Sequence, residues 1–346
     1  MTRNVKARCP NRKDAIPEVA GAVENAKRVH YNARVPKTRV SGRLVFALVL
    51  APLLMGGACE KKKPNDTGAI TAMDRAGSDT TGSGGSATAV DTTPMKGVDV
   101  TKLDGDKQKL FYALVASLKS PCGKTHSLRT SYEQDTACKR APFAVKYVSS
   151  LLLDEVKEAD VREFYMNKYE KVPTIVKIET SKAPHVGNTD APVRLVEFFD
   201  YECPHCQLFA PTMTKVEEKE AGKVVVYYMM FPIESKHPDA RSAAMASLAA
   251  NAQGKFKEMH ELLFSRSPQH QKDAVAGFAK ELGLDAGKFE ADYAKADAQV
   301  TSDLGQGEKA GVDSTPTLFF QDHKYEGPMN PEYISMWIEE ELAVNR

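Results

Sequence analysis

Two cysteines separated by two residues are the most reactive group in the sequence. Cys203 and Cys206 enclose Pro204 and His205, and they follow directly after the β-rich run 193–199. A C-x-x-C placed where a strand passes into a helix puts the first sulfur at the helix N-terminus. Unpaired N–H groups and the helix dipole stabilise an anion there. Cys203 is therefore predicted to be the thiolate nucleophile.

The other residues of this tetrapeptide have predicted roles around the thiolate. Cys206 lies one turn further along and is expected to be the resolving thiol, which releases a mixed disulfide by forming the intramolecular bond. His205 is predicted to be a second stabiliser of the thiolate, and Pro204 completes the catalytic tetrapeptide. The redox group would be the pair of cysteines itself, and no added cofactor is expected.

A zinc site is the main structural alternative for this cysteine pair. A structural zinc site needs four ligands, and the best second pair, Cys122 and Cys138, lacks the spacing of a zinc knuckle. An inert disulfide is disfavoured because four-residue disulfide loops are strained and labile. We therefore expect no metal. The remaining histidines have no ligand spacing and are expected at the surface: His126, His185, His237, His260, His270 and His323.

The first 59 residues are predicted to be an export signal, with a charged segment followed by the apolar run 44–55. As a helix this run would span about 18 Å, which is too short for the roughly 30 Å hydrocarbon core of a membrane. Cys59 follows small residues and resembles the lipidated cysteine of bacterial lipoproteins; ordinary signal cleavage is the alternative. The charged segment exceeds the usual length, so we expect translation to start near Val35 or Val40, which leaves Cys9 without a function.

Residues 60–99 are rich in Lys, Gly, Ser, Thr and Asp and are predicted to be a disordered linker. With a lipid at Cys59, such a linker would tether the folded part to a membrane. The formal net charge of the whole chain is +1, so no long-range field would recruit nucleic acid.

Residues 100–175 are predicted to form a small all-α module of three amphipathic helices, the third starting at Asp160. Cys122 and Cys138 flank the connection between the first two helices and would most simply pair in an exported protein. The pattern resembles the three-helix domain of cytochrome c maturation lipoproteins, whose reactive cysteines are instead a C-x-x-C. A disulfide-stapled module for docking or for forming a homodimer is the preferred interpretation.

Residues 183–346 have the pattern of strands and helices that is typical of an α/β domain. The order is strand, C-x-x-C, helix, the buried strand 223–231, a helical stretch from about 239 to 310, the strand 317–320 and a final helix. Asn330 and Pro331 supply the cap and the first-turn proline of that helix. This is the order of a thioredoxin-like domain with a helical insertion.

The segments 190–206 and 311–320 are similar to the two signatures of the DsbA-type thiol:disulfide oxidoreductases, and the similarity covers residues 183–346. The resemblance implies a tetrapeptide typical of the oxidising enzymes. It also implies that Pro316 is cis, which leaves the backbone of Thr315 free to pair with a substrate strand.

Glu197 matches the partly buried acid that assists proton transfer from the resolving thiol in that family. Alternation along the strand independently places Leu195, Glu197 and Phe199 on one face, so a glutamate in a central strand would be unusually buried. A solvated strand carboxylate is the alternative.

The sequence therefore predicts an exported thiol:disulfide oxidoreductase of the bacterial cell envelope that oxidises reduced or misfolded exported proteins and exchanges electrons with an envelope redox partner. Two alternatives remain open: a disulfide isomerase or reductase, and a non-enzymatic thioredoxin-like adaptor in envelope or cytochrome assembly.

Overall fold

The computed structural model describes residues 90–344, which belong to one compact unit. The first part is helical, and its elements are α1 (Gly105–Ser117), α2 (Leu128–Gln134), α3 (Ala141–Leu153), α4 (Glu158–Tyr165) and a π-helical turn (Met166–Glu170). Three amphipathic helices were expected, and α2 is additional. Its seven residues, capped by the Ser127 hydroxyl, are too few to give a helical periodicity. Helix α4 begins two residues before the expected Asp160.

The prediction that residues 60–99 form a disordered linker is wrong for the C-terminal end of that range. Met95 is 2% exposed and lies in the core of the helical part. Arg129 and Tyr132, both on α2, donate hydrogen bonds of 2.8–2.9 Å to backbone carbonyls of this segment. One buried side chain and these hydrogen bonds fix a stretch whose composition alone indicates disorder. Residues 60–89 lie outside the described part of the chain.

A mixed five-stranded sheet forms the second part. Its strands are β1 (His185–Val186), β2 (Val193–Phe199), β3 (Val224–Met230), β4 (Thr317–Phe320) and β5 (His323–Lys324), arranged β1-β3-β2-β4-β5. Strand β2 pairs in parallel with β3 and antiparallel with β4, so it is the central strand. The expected strands over 193–199 and 317–320 are present with those bounds.

The remaining helices follow the predicted order. Helix α5 (Pro204–Lys219) connects β2 to β3, and α10 (Pro331–Val344) follows the sheet. The insertion between β3 and β4 consists of α6 (Ala240–Asn251), α7 (Phe256–Ser265), α8 (Lys272–Glu281) and α9 (Ala286–Lys309). Asn330 caps α10 by accepting a hydrogen bond of 3.1 Å from the N–H of Tyr333.

Alternation along β2 separates two apolar layers. Leu195 and Phe199 lie in the larger core with α5, α6 and α7, whereas Val196 and Phe198 lie in a smaller core on the other face. Glu197 has the parity of the first pair and is 3% exposed. The central strand therefore carries a carboxyl group into the larger core, as the alternation predicted.

Helix α10 joins the helical part to the sheet. Tyr333 lies in the core of the helical part, whereas Ile334 and Ile338 lie in the core beside β2. Glu340 is 1% exposed and accepts a hydrogen bond of 2.8 Å from Arg140, the residue before α3. The two parts thus share a helix, and their division into domains at 100–175 and 183–346 stays a prediction.

Cys122 and Cys138 are joined by a disulfide with a Cα–Cα distance of 5.8 Å. Within residues 90–344 no helix is both long and apolar enough to cross a membrane. The same residues contain no cluster of three or more His, Cys, Asp or Glu side chains suited to a metal ion. The export signal predicted over 1–59, with Cys9 and Cys59, lies outside the described residues.

Candidate active site

Cys203 stands at the N-terminus of the sixteen-residue helix α5. Its N–H donates to the carbonyl of Asp200 at 3.2 Å, and its own carbonyl accepts from the N–H of Gln207 at 3.0 Å. Pro204 fits the first helical position because the N–H that it lacks would have no helical partner there. The strand, the short loop and the proline together place the sulfur where the backbone N–H groups of the first turn are unpaired.

The surroundings of Cys203 lower the pKa of its thiol to about 5. The largest cause is the hydrogen bond from Cys206, which lowers the pKa. Burial raises the pKa, but the Thr315 side chain and the backbone N–H groups of the first helical turn lower it further. The Thr315 hydroxyl is buried without another partner, so it is available to the thiolate. In the thiol form, Sγ of Cys203 donates to the Thr315 carbonyl at 3.4 Å. Cys203 is thus ionised at neutral pH.

Cys206 has the opposite environment. It is fully buried, and burial raises the pKa of its thiol far above the ordinary value; the hydrogen bond to Cys203 and the charge of Glu197 raise it further. The backbone N–H of Asp200 donates to its sulfur at 3.5 Å. The low pKa of Cys203 suits a nucleophile, and the burial and high pKa of Cys206 suit a protected resolving thiol.

Glu197 lies in the core beneath this pair. In the sheet it stands opposite Tyr228 of β3 and Leu318 of β4. Burial raises the pKa of its carboxyl group to about 8, and the charge of Glu217 is a smaller cause in the same direction. A carboxyl group with this pKa exchanges a proton near neutral pH, which suits a role in proton transfer to Cys206.

Pro204 and His205 are exposed on the first turn of α5. The contribution of His205 to the low pKa of Cys203 comes from its backbone N–H. The sequence assigned that effect to the imidazole, and this role of the side chain stays a prediction.

The peptide bond between Thr315 and Pro316 is cis, and it precedes β4. A groove of about 440 Å³ opens beside it, lined on the helix side by His205, Leu208, Phe209 and Thr212 and on the other side by Ser314, Thr315, Pro316 and Met329. Leu208 is 78% exposed and Met329 38% exposed. Two exposed apolar side chains thus flank the approach to the cysteine pair.

Two contacts between an acid and a histidine, in the loop just before Cys203, were missed from the sequence. Asp200 accepts hydrogen bonds from the N–H of Ile233 at 2.8 Å and from Nδ1 of His237 at 2.7 Å. Glu202 lies 3.2 Å from Nδ1 of the fully buried His270. These acids anchor the loop before the nucleophile to distant parts of the insertion, and no local spacing could have revealed their partners.

The expectation that the other histidines lie at the surface is wrong for His270, and His237 and His260 are partly buried. His270 is fully buried and His237 is partly buried, because each pairs with an acid of the active-site loop. His260 packs among aromatic rings, including those of Phe199 and Phe264, and burial lowers its pKa to about 3. A histidine without ligand spacing can therefore be a core residue.

Residues 179–340 match the family model described as Thioredoxin. This segment has a thioredoxin-like fold. The sequence predicted this fold, including its helical insertion. Thiol–disulfide oxidoreductases are among the proteins built on it.

Similar proteins include an antiporter and two proteins with solved structures. The Na⁺/H⁺ antiporter NhaA 1 of Mycobacterium sp. (strain KMS) is 33% identical over 160 residues, which cover 45% of this chain and 26% of the antiporter. The chain thus spans about a quarter of that relative. A thioredoxin-like oxidoreductase from Silicibacter pomeroyi DSS-3 is 28% identical with a TM-score of 0.42, covering 48% of this chain and 92% of that one. BdbD from Bacillus subtilis is 25% identical with a TM-score of 0.44, covering 50% and 99%.

Proposed function

We propose that this chain is an exported thiol–disulfide oxidoreductase that oxidises reduced client proteins through Cys203 and Cys206. The observation that carries the proposal is the opposite environment of the two sulfurs: a stabilised thiolate at Cys203 and a buried thiol at Cys206. Stabilising the thiolate favours the reduced pair over the disulfide. A disulfide whose reduced form is stabilised is a strong oxidant.

The reaction begins when a client thiolate attacks Sγ of Cys203 in the disulfide form. The Cys203–Cys206 bond breaks, a mixed disulfide forms, and Cys206 leaves as a thiolate that takes up one proton. Glu197 supports this step because it holds a proton at neutral pH. A second client thiolate then attacks the client sulfur and releases Cys203, whose low pKa makes it a good leaving group. The client loses two electrons and the cysteine pair gains them.

Client proteins are proposed to bind as extended segments in the groove beside Pro316. The backbone of Thr315 can pair with such a segment as an added strand. The exposed side chains of Leu208 and Met329 offer apolar contacts. Both features suit reduced or misfolded proteins, which expose backbone and apolar side chains.

The cycle closes when an envelope redox partner accepts the two electrons. The Cys203 thiolate attacks a disulfide of that partner, and the Cys206 thiol loses its proton and displaces the partner thiolate as the Cys203–Cys206 bond forms again. We propose that the cysteine pair is the only redox group used in either direction.

An oxidative refolding assay tests the proposed direction. The oxidised protein, mixed with reduced ribonuclease, should restore ribonuclease activity, and its reduction potential against glutathione should lie well above that of thioredoxin, about −270 mV. Efficient reshuffling of scrambled ribonuclease without oxidation of the reduced enzyme would instead identify an isomerase. If Cys203→Ser supported the biological function unchanged, the chain would be a non-enzymatic adaptor.

We also propose that the protein is exported to the bacterial cell envelope and anchored by a lipid on Cys59. The disulfide between Cys122 and Cys138 supports an oxidising compartment. In cell fractionation the wild type should follow the membranes, and Cys59→Ser should appear in the soluble fraction of the envelope. Equal distribution of both proteins would refute the lipid anchor.

A further inference from the structure

A second buried carboxylate lies in the core beneath the cysteine pair. Glu217 is on α5 about three turns after Cys206 and on the same helix face, with 9% of its surface exposed. The Tyr228 hydroxyl donates a hydrogen bond to Oε1, and the Lys257 ammonium lies 2.9 Å from Oε2. Glu217 thus accepts from a hydroxyl on one oxygen and pairs with a cation on the other.

Tyr228 also connects this group to Glu197. The two residues are direct neighbours across the parallel β2–β3 pair, so their side chains lie side by side on the face that packs against α5. Glu197 has no cation of its own among the described contacts, whereas Glu217 has Lys257. Two neighbouring carboxyl groups do not both ionise easily in a buried site.

We propose that Glu217 is a positioning residue for thiol exchange: its carboxylate, held by Tyr228 and Lys257, acts through Glu197 on the proton that Cys206 exchanges. The inference rests on the proposed function, since it concerns the proton that Cys206 exchanges. When Cys206 leaves the disulfide as a thiolate, the Glu197 proton moves to its sulfur and Glu197 becomes a carboxylate. In re-oxidation the same proton returns to Glu197 as Sγ of Cys206 attacks Sγ of Cys203 in the mixed disulfide and displaces the partner thiolate.

The other groups around Glu197 do not supply this control. On the elements that flank Glu197, the titratable side chains of this core are Cys203 before α5, Cys206 and Glu217 of α5, Tyr201 after β2, Tyr228 of β3, and Lys257 and His260 of α7. His260 is neutral at pH 7, and burial raises the pKa of Tyr201 and of Tyr228. The residues that β4 and α10 contribute to this core are apolar or aromatic: Leu318, Phe320, Ile334, Trp337 and Ile338. Unlike the cysteines, Glu217 does not change its bonding during disulfide exchange.

The test follows the release of thionitrobenzoate when reduced protein reacts with its symmetrical disulfide. The first release reports attack by Cys203, and the second reports attack by Cys206 on the mixed disulfide. In the wild type, the rate of the second release should rise with pH through an inflection near 8, the pKa of Glu197. In Glu217→Gln the inflection should move down by roughly one pH unit, with about fivefold faster second release at pH 7.

Glu218→Gln is the matched control, because it removes the same charge from the exposed neighbouring residue of α5. Its profile should coincide with that of the wild type. The inference is overturned if the profiles of Glu217→Gln and the wild type coincide, or if Glu218→Gln shifts equally. Release of only one thionitrobenzoate by the wild type would instead refute the proposed function, because the pair would not exchange.

A carboxyl-carbon NMR titration of the reduced wild type keeps the inference testable if Glu217→Gln does not fold. Glu197 should titrate near pH 8. Titration of Glu197 near its ordinary value of about 4.3 would refute the inference.

Discussion

The two cysteines of the tetrapeptide have the same chemistry and different surroundings. Cys203 meets backbone N–H groups and the Thr315 hydroxyl, whereas Cys206 meets the apolar core and the side chain of Glu197. The first environment favours a charge and the second opposes it. The proposed division of labour between nucleophile and resolving thiol therefore follows from position, since Cys203 precedes α5 and Cys206 lies in its first turn.

The low pKa of Cys203 predicts how its alkylation depends on pH. A depressed pKa means that the thiolate is present above about pH 5 and is lost as the pH falls through that value. The rate at which Cys203 of the reduced wild type reacts with iodoacetamide should therefore be nearly constant from pH 6 to 8 and fall below pH 5, while the buried Cys206 stays unreacted. Mass spectrometry of the alkylated peptide gives the rate. A rate that climbs tenfold per pH unit up to pH 8 would show an ordinary thiol.

At the scale of elements, the site depends on where β2, α5 and β4 begin and end. The bounds of β2, the cysteine at the start of α5 and the cap of α10 could be predicted, because strand alternation, C-x-x-C and Asn-Pro are local signals. Helix α2 could not be predicted from periodicity, since it has seven residues.

The partners of the site were also beyond prediction. Lys257, His237 and His270 reach the acids of the active-site region from the insertion, tens of residues away in the chain. Only the tertiary fold creates these pairs. The prediction of disorder for residues 91–99 was wrong for a similar reason. Met95 is buried by contacts with α2 and its neighbours, and no pattern within the segment indicates that burial.

The disulfide between Cys122 and Cys138 makes a prediction about the helical part. It closes a loop with a sequence separation of 16, so its removal should restore chain entropy to the unfolded state. Replacing both cysteines by alanine should lower the free energy of unfolding by about 3 kcal/mol. Urea denaturation at constant protein concentration measures the difference. An unchanged free energy of unfolding would show that the disulfide does not stabilise the fold.

At the scale of the whole molecule, the helical part and the sheet meet at a buried cluster of charges. Glu340 of α10 lies 3.0 Å from the ammonium of Lys168 and accepts hydrogen bonds from Arg140 and from the Tyr169 hydroxyl. The Lys168 side chain is 5% exposed and lies 3.5 Å from the centre of the Trp337 ring. This cluster stabilises the contact between the two parts.

Glu340→Ala should destabilise the protein strongly, because it leaves Lys168 buried without its carboxylate. The expected loss is about 3–5 kcal/mol in the free energy of unfolding. Glu339→Ala is the control, since Glu339 is only partly buried and pairs with the exposed Lys146 at 3.2 Å. Its effect should be below about 1 kcal/mol. Equal losses for the two variants would contradict a structural role for the cluster.

The most direct test of the central claim is a trap for client proteins in the native host. Cys206→Ser removes the resolving thiol and leaves the Cys203 nucleophile, so mixed disulfides with clients should accumulate. A non-reducing gel should show a ladder of adducts that disappears with dithiothreitol and is absent from the Cys203→Ser/Cys206→Ser double variant. The absence of adducts in Cys206→Ser, or the same ladder in the double variant, would contradict disulfide exchange through Cys203.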